Sequence, residues 1–149
     1  MRRKQKRIIL VLLVLFVAIQ FYQPARNTDS GQVDKADFTE VYKAPVNVKN
    51  ILQVSCYDCH SNNTRYEWFD YIQPIRMLVE YHINKAKEDL NFNEWGNYYD
   101  LKKGRLLESI KTQVEKKKMP LPSYTWLHPE VKLSDAQRAT LINWIKGQE

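Results

Sequence analysis

The stretch VNVKNILQVSCYDCH, residues 46–60, decides how the rest of the chain is read. Val48, Ile51, Leu52 and Ser55 fall at i, i+3, i+4 and i+7, which is one face of a helix. That helix runs straight into Cys56. Cys56 and Cys59 are the two cysteines of the 149-residue chain, three positions apart, and His60 follows directly. Two thiols and an imidazole at this spacing suit a redox dithiol, part of a metal site, or a haem held by covalent bonds.

The surroundings separate these chemistries. A thioredoxin-like dithiol needs a βαβ setting, and no stretch alternates like a strand. A structural zinc site needs four ligands, usually two pairs, and this chain supplies one pair. A disulfide between near neighbours leaves His60 without a purpose. Covalent haem uses all three residues: Cys56 and Cys59 add to the two vinyl groups as thioethers, and His60 ligates the iron.

Outward from the motif, the pattern stays helical. A second helix is expected over residues 73–87, with Pro74 at its first position and Ile75, Leu78, Val79, His82 and Ile83 on one face. LNFNEWGN (90–97) reads as a turn region, after which Asn97 or Asp100 caps a helix carrying Leu106, Ile110 and Val114. Lys116, Lys117 and Lys118 end it, complementing the helix dipole, and Pro120 and Pro122 forbid continuation. The last helix is announced by Ser134 with Gln137 three residues on, a capping box. Leu141, Trp144 and Ile145 give its apolar stripe, and Gly147 stops it. The expected fold is all-α: a small helical domain of three or four helices.

The charge excludes one function class. The net charge is +6, but MRRKQKR at the start holds five of the 23 basic residues, leaving 18 against 17 acidic ones. A nucleic-acid binder carries its positive charge on the folded domain, so no nucleic-acid partner is expected. Here the charge precedes IILVLLVLFVAIQFY, Ile8 to Tyr22, a basic start with an apolar run typical of export or anchoring. Small residues suited to cleavage do not follow it. The expected division is a signal anchor or transmembrane helix over 1–22, a linker over 23–45 and the folded domain over 46–149. The positive end stays in the cytoplasm, which puts the domain in the periplasm on a single-pass inner-membrane anchor.

VNVKNILQVSCYDCH and LSDAQRATLINWI resemble the two ends of a c-type cytochrome, where an N-terminal helix runs into CxxCH and a C-terminal helix packs across it. More narrowly, CYDCHSNNTRYEWFDYIQPI, the HI…LNFNEW segment and MPLPSYTWLHPEVKLS resemble the bacterial haem-binding domain family over roughly residues 46–146. The resemblance implies one covalently attached haem c with its iron. Met119, in the MPLP loop, resembles the Met of a class I cytochrome and is the expected distal ligand; His82, on the apolar face of the 73–87 helix, and His128, in YTWLHP, are the alternatives. The implied role is single-electron transfer between redox protein partners rather than enzymatic catalysis. A gas sensor or peroxidase-like enzyme with an open iron stays as the alternative, as does a haem-free CxxC redox module. Trp68, Trp95, Trp126 and Trp144, with Tyr66, Tyr71 and Tyr124, are expected to wall the haem, and Arg65 or Arg105 to pair with a propionate.

Overall fold

A computed structural model describes residues 3–29 and 35–148. Among these residues the chain is all-α, with one isolated bridge between Thr28 and Asn63 as the only extended pairing. Eight α-helices occur in order among the described residues: α1 (Arg3–Ile19), α2 (Phe38–Val41), α3 (Val46–Ser55), α4 (Tyr57–His60), α5 (Ile75–Asp89), α6 (Asp100–Glu115), α7 (Pro122–Leu127) and α8 (Asp135–Lys146). Short 3-10 turns lie at Trp68–Tyr71, Phe92–Asn97 and Pro129–Val131. The extra helices over the three or four expected are all six residues or fewer, apart from α1. They are too short for a 3.6-residue period to register in sequence.

The helix that leads into the cysteines forms as its spacing predicts, with Val48, Ile51 and Leu52 buried. It packs on α8, and α8 packs on α6. The capping box of α8 is present: the Ser134 hydroxyl accepts from the Gln137 amide, and the Gln137 side chain accepts from the Ser134 amide. Arg138, one turn in, donates to the carbonyls of Val114 and Leu133 and ties this helix to the end of α6. Helix α5 starts two residues later than predicted, with Pro74 at the N-cap. Helix α6 starts at Asp100 behind Tyr99, and Asn97 belongs to the preceding 3-10 turn, so neither expected cap stands at the N-cap.

The core is where the sequence reading needs correction. The expected linker covers residues 23–45, of which 30–34 lie outside the described residues; within the rest, Phe38 is wholly buried and Asp37, Thr39 and Ala44 are nearly so. Phe38 lies among Tyr42, Phe92, Trp95 and Trp144, with ring centroids 4.6–5.5 Å from its own. Asp37 caps α2 through the Thr39 amide and hydroxyl, and also accepts from the Tyr57 hydroxyl and the Asn93 amide. Gly96 donates to the Ala36 carbonyl at 2.7 Å. A side chain at Gly96 would come within 2.9 Å of the Ala36 backbone, so only glycine lets the two segments meet. Residues 35–44 are therefore a structural layer of the domain. A single buried phenylalanine within a polar run carries no periodicity, which is why this layer reads as a linker in sequence.

Helix α1 is 17 residues long with no buried residue. Among the described residues no helix is long and apolar enough to cross a membrane.

Candidate functional site

Three adjoining cavities run along the Cys56–His60 segment. The first, about 190 Å³, is lined by Cys56, His60, Leu90, Phe92, Leu106, Ile110, Val114 and Met119 among others. The second, about 40 Å³, holds Cys56, Cys59, His60, His82, Met119 and Tyr124. The third, about 150 Å³, continues past Cys59 and His82 between Ile75, Leu78, Val79, Leu121 and Leu127. Shared lining residues make them one slot, with a predominantly apolar wall. A larger cavity of about 340 Å³ lies on the other side of Asp58, but Asp37, Asp58, Arg65, Asn63 and Asn93 line it. Its polar wall suits water rather than a large apolar ring system.

Each residue at the slot is held by local structure. Helix α3 ends at Cys56, whose amide donates to Leu52, and α4 begins immediately, its first turn closed by the amides of Cys59 and His60 on the Cys56 carbonyl. This turns both thiols and the His60 ring to one side. His60 Nδ1 lies 3.0 Å from the Leu90 carbonyl. A carbonyl only accepts, so Nδ1 carries the proton and Nε2 keeps its lone pair. Burial lowers the His60 pKa, which favours that neutral ring, while the bonds to Leu90 and Ala86 oppose the shift.

Burial pushes both thiols the other way. Cys56 is raised to about 12, by burial first and then by Cys59 and Asp58. Cys59 is raised to about 12 by burial, with Asp58 and Asp70 adding to it. At neutral pH both are protonated, whereas a dithiol redox site needs a thiolate of low pKa. Among the described residues no group of three or more His, Cys, Asp or Glu side chains stands close enough to hold a metal ion, which leaves a zinc site without a ligand set.

Met119 reaches the slot because α6 ends abruptly. Lys117 adopts φ 55°, in the left-handed region, and the amides of Lys118 and Met119 both donate to Gln113. The chain doubles back and presents Met119 beside Cys56 and His60. Helix α7 then carries Tyr124, whose hydroxyl donates to Asp58 at 2.9 Å. Asp58 Oδ1 accepts from the Arg65 amide. Tyr124→Phe leaves the buried Asp58 Oδ2 with only the 3.5 Å contact to Arg65. It is expected to cost about 1–3 kcal/mol by chemical denaturation.

Of the sequence-predicted residues, Cys56, Cys59, His60, Met119 and His82 come together at the slot. His128 does not line it. It is buried at 3 % exposure under Tyr124, stacked at 4.2 Å, with Nδ1 on the Tyr124 carbonyl. The expected aromatic wall is mostly elsewhere. Trp95 is packed in the core with Phe38, Trp144 lies against that core, and Trp68 and Trp126 are exposed. Tyr66 and Tyr71 surround Arg76, and only Tyr124 of that set reaches the slot. The ring the sequence reading missed is Phe92, which lines the slot and lies 6.0 Å from His60. Its place in LNFNEWGN made it look like part of a turn. Arg65 contacts Asp58 and Glu130, and Arg105 is exposed on α6.

The donor set suits a haem: a neutral imidazole with a fixed tautomer, a thioether and two protonated thiols around an apolar slot. A family model described as a haem-binding domain matches residues 14–147. No curated protein and no solved structure matches the chain.

Proposed function

We propose, from the premise that this chain belongs to the haem-binding domain family, that it is a membrane-tethered c-type carrier of single electrons. The observation that carries this reading is the convergence of Cys56, Cys59, His60 and Met119 on one apolar slot. Cys56 and Cys59 would hold the haem by thioether bonds. His60 Nε2 and Met119 Sδ would ligate the iron, with His82 the alternative to Met119. When bound, the haem supplies a reversible one-electron couple, whose potential a Met/His ligand pair raises.

The chain's own residues do the rest. The Leu90 carbonyl keeps the His60 proton on Nδ1 and so fixes ring orientation. Leu90, Phe92, Leu106, Ile110 and Val114 keep water from the slot. Gln113, through its carbonyl, holds the Met119 loop against α6. The proposed role is a carrier rather than an enzyme. The basic start of α1, Arg3, Lys4, Lys6 and Arg7, supports a cytoplasmic N-terminus and a periplasmic domain. A protein redox partner on each side of the transfer completes the proposal.

The test is the visible spectrum of the holoprotein beside Met119→Ala. Oxidised parent protein is expected to show a weak far-red sulfur-to-iron charge-transfer band, absent from the variant. The variant's potential is expected to fall, and its reduced form to bind carbon monoxide. A parent spectrum without the band and unchanged in the variant removes Met119 from the iron. His82→Ala then decides between His82 and an open site.

A further inference from the structure

Gln20 to Asn27 would be a loose tether if they only joined α1 to the domain. They are fastened at every second or third residue. Gln20 and Gln73 exchange hydrogen bonds: the Gln73 amide donates to Gln20 Oε1 at 3.0 Å, and Gln20 Nε2 donates to the Gln73 carbonyl at 3.3 Å. The Gln73 side chain, wholly buried, donates to the Tyr22 carbonyl and accepts from the Met77 amide. Arg76, at 2 % exposure, donates to the Pro24 carbonyl at 2.8 Å, sits 3.3 Å from Glu80 and lies over Tyr66 and Tyr71. The Asn27 amide donates to the Tyr66 hydroxyl, which itself donates to Glu80. Residues 20–27 thus supply hydrogen-bond partners to the buried Gln73 and Arg76 side chains.

This collar places one face of the domain beside the end of α1. Phe21 and Tyr22 are exposed there. Trp68 and Tyr71 stand at i and i+3 of the 3-10 turn just before Gln73, positions that eclipse, and both are exposed, Trp68 at 74 %. Arg26 lies over Tyr71, and Met77 is exposed one turn further on. Exposed Trp and Tyr beside an arginine at the end of an apolar helix match the water–lipid boundary, where amphipathic rings and cations both gain.

The apolar part of α1 is short. Arg3 to Arg7 are polar or charged, and residues 8–19 span about 18 Å against a hydrocarbon layer of about 30 Å. A helix of that length is accommodated when rings at its exit enter the interface and the bilayer thins locally.

We propose that residues 20–27 are a rigid collar that seats the Trp68–Tyr71 face on a lipid bilayer into which α1 inserts. The domain is thereby held at one orientation to the membrane. This rests on the reading of α1 as a membrane anchor, and it replaces a flexible tether with a fixed one.

The experiment uses the full holoprotein in nanodiscs of phosphatidylethanolamine and phosphatidylglycerol. Single cysteines replace Leu13, Met77 or Leu101, and their reaction with a membrane-impermeant maleimide is timed. Leu13→Cys and Met77→Cys are expected to be protected, while Leu101→Cys, exposed on α6, reacts freely. Adding Gln73→Ala, or Gln20→Ala in case the first disturbs folding, is expected to abolish protection at 77 and leave it at 13. Each variant's haem spectrum reports separately on fold and haem. If position 77 reacts as fast as 101 while 13 is protected, the seat is refuted and the anchor stands. If 13 also reacts freely, the anchor reading falls and the seat with it. If protection at 77 survives both glutamine variants, the collar is not what holds the face.

Discussion

Replacing Cys56 and Cys59 together by serine is expected to give a chain that loses all its haem to acid–acetone, while the parent loses none. Only thioether bonds survive that extraction. The apolar lining of the slot and the His60–Leu90 contact do not involve the two thiols, so in the double variant haem is expected still to enter, held only by ligation and apolar contact. Each single variant is expected to retain haem through one bond, with the reduced pyridine haemochrome spectrum shifted toward that of a haem with one free vinyl group. Extraction of the haem from the parent itself would show that the thiols do not attach it. Both thiols are pushed up to about 12 by burial, so the haem-free chain is also expected to react slowly with iodoacetamide at neutral pH, as thiols rather than thiolates do.

Phe38→Ala is expected to destabilise the domain by about 3–5 kcal/mol, read by chemical denaturation of the holoprotein. The ring is wholly buried and touches four other aromatic side chains in the core. A domain of this size has only about 5–15 kcal/mol to lose, so the variant sits near the threshold of folding. The loss also undercuts the site, because Phe92 packs on Phe38 at 5.1 Å and lines the slot beside His60. A cost below about 1 kcal/mol would mean that residues 35–44 do not hold the core as the packing indicates.

The parts of the fold that sequence revealed are those whose determinants lie within a few residues of one another. The 48, 51, 52 spacing, the Ser134–Gln137 box and the stop beginning at Lys116 are local, and each appears in place or within two residues. The cysteine and histidine spacing is local too, and it points to the cofactor class before any contact is known. Contacts across the chain were not legible. Asp37 meets Asn93 over 56 positions, and Gln20 meets Gln73 over 53. Neither pair leaves a pattern in one sequence.

The tryptophans show the same limit from the other side. Trp68, Trp95, Trp126 and Trp144 are alike as letters, and the sequence reading gave them one task. Packing gave them three: Trp95 fills the core, Trp144 covers it, and Trp68 and Trp126 face outward. An aromatic ring stabilises any apolar surface it covers, so residue type alone does not say which surface that is.

By itself, then, the sequence determined the helical class, the order of the main helices and the haem-binding class of the domain, because periodicity, capping and ligand spacing act over a few residues. Tertiary structure decided that residues 35–44 belong to the core and that Met119 and His82 share the slot with those three. It also decided that residues 20–27 are clamped to α5, because these outcomes depend on which distant surfaces meet.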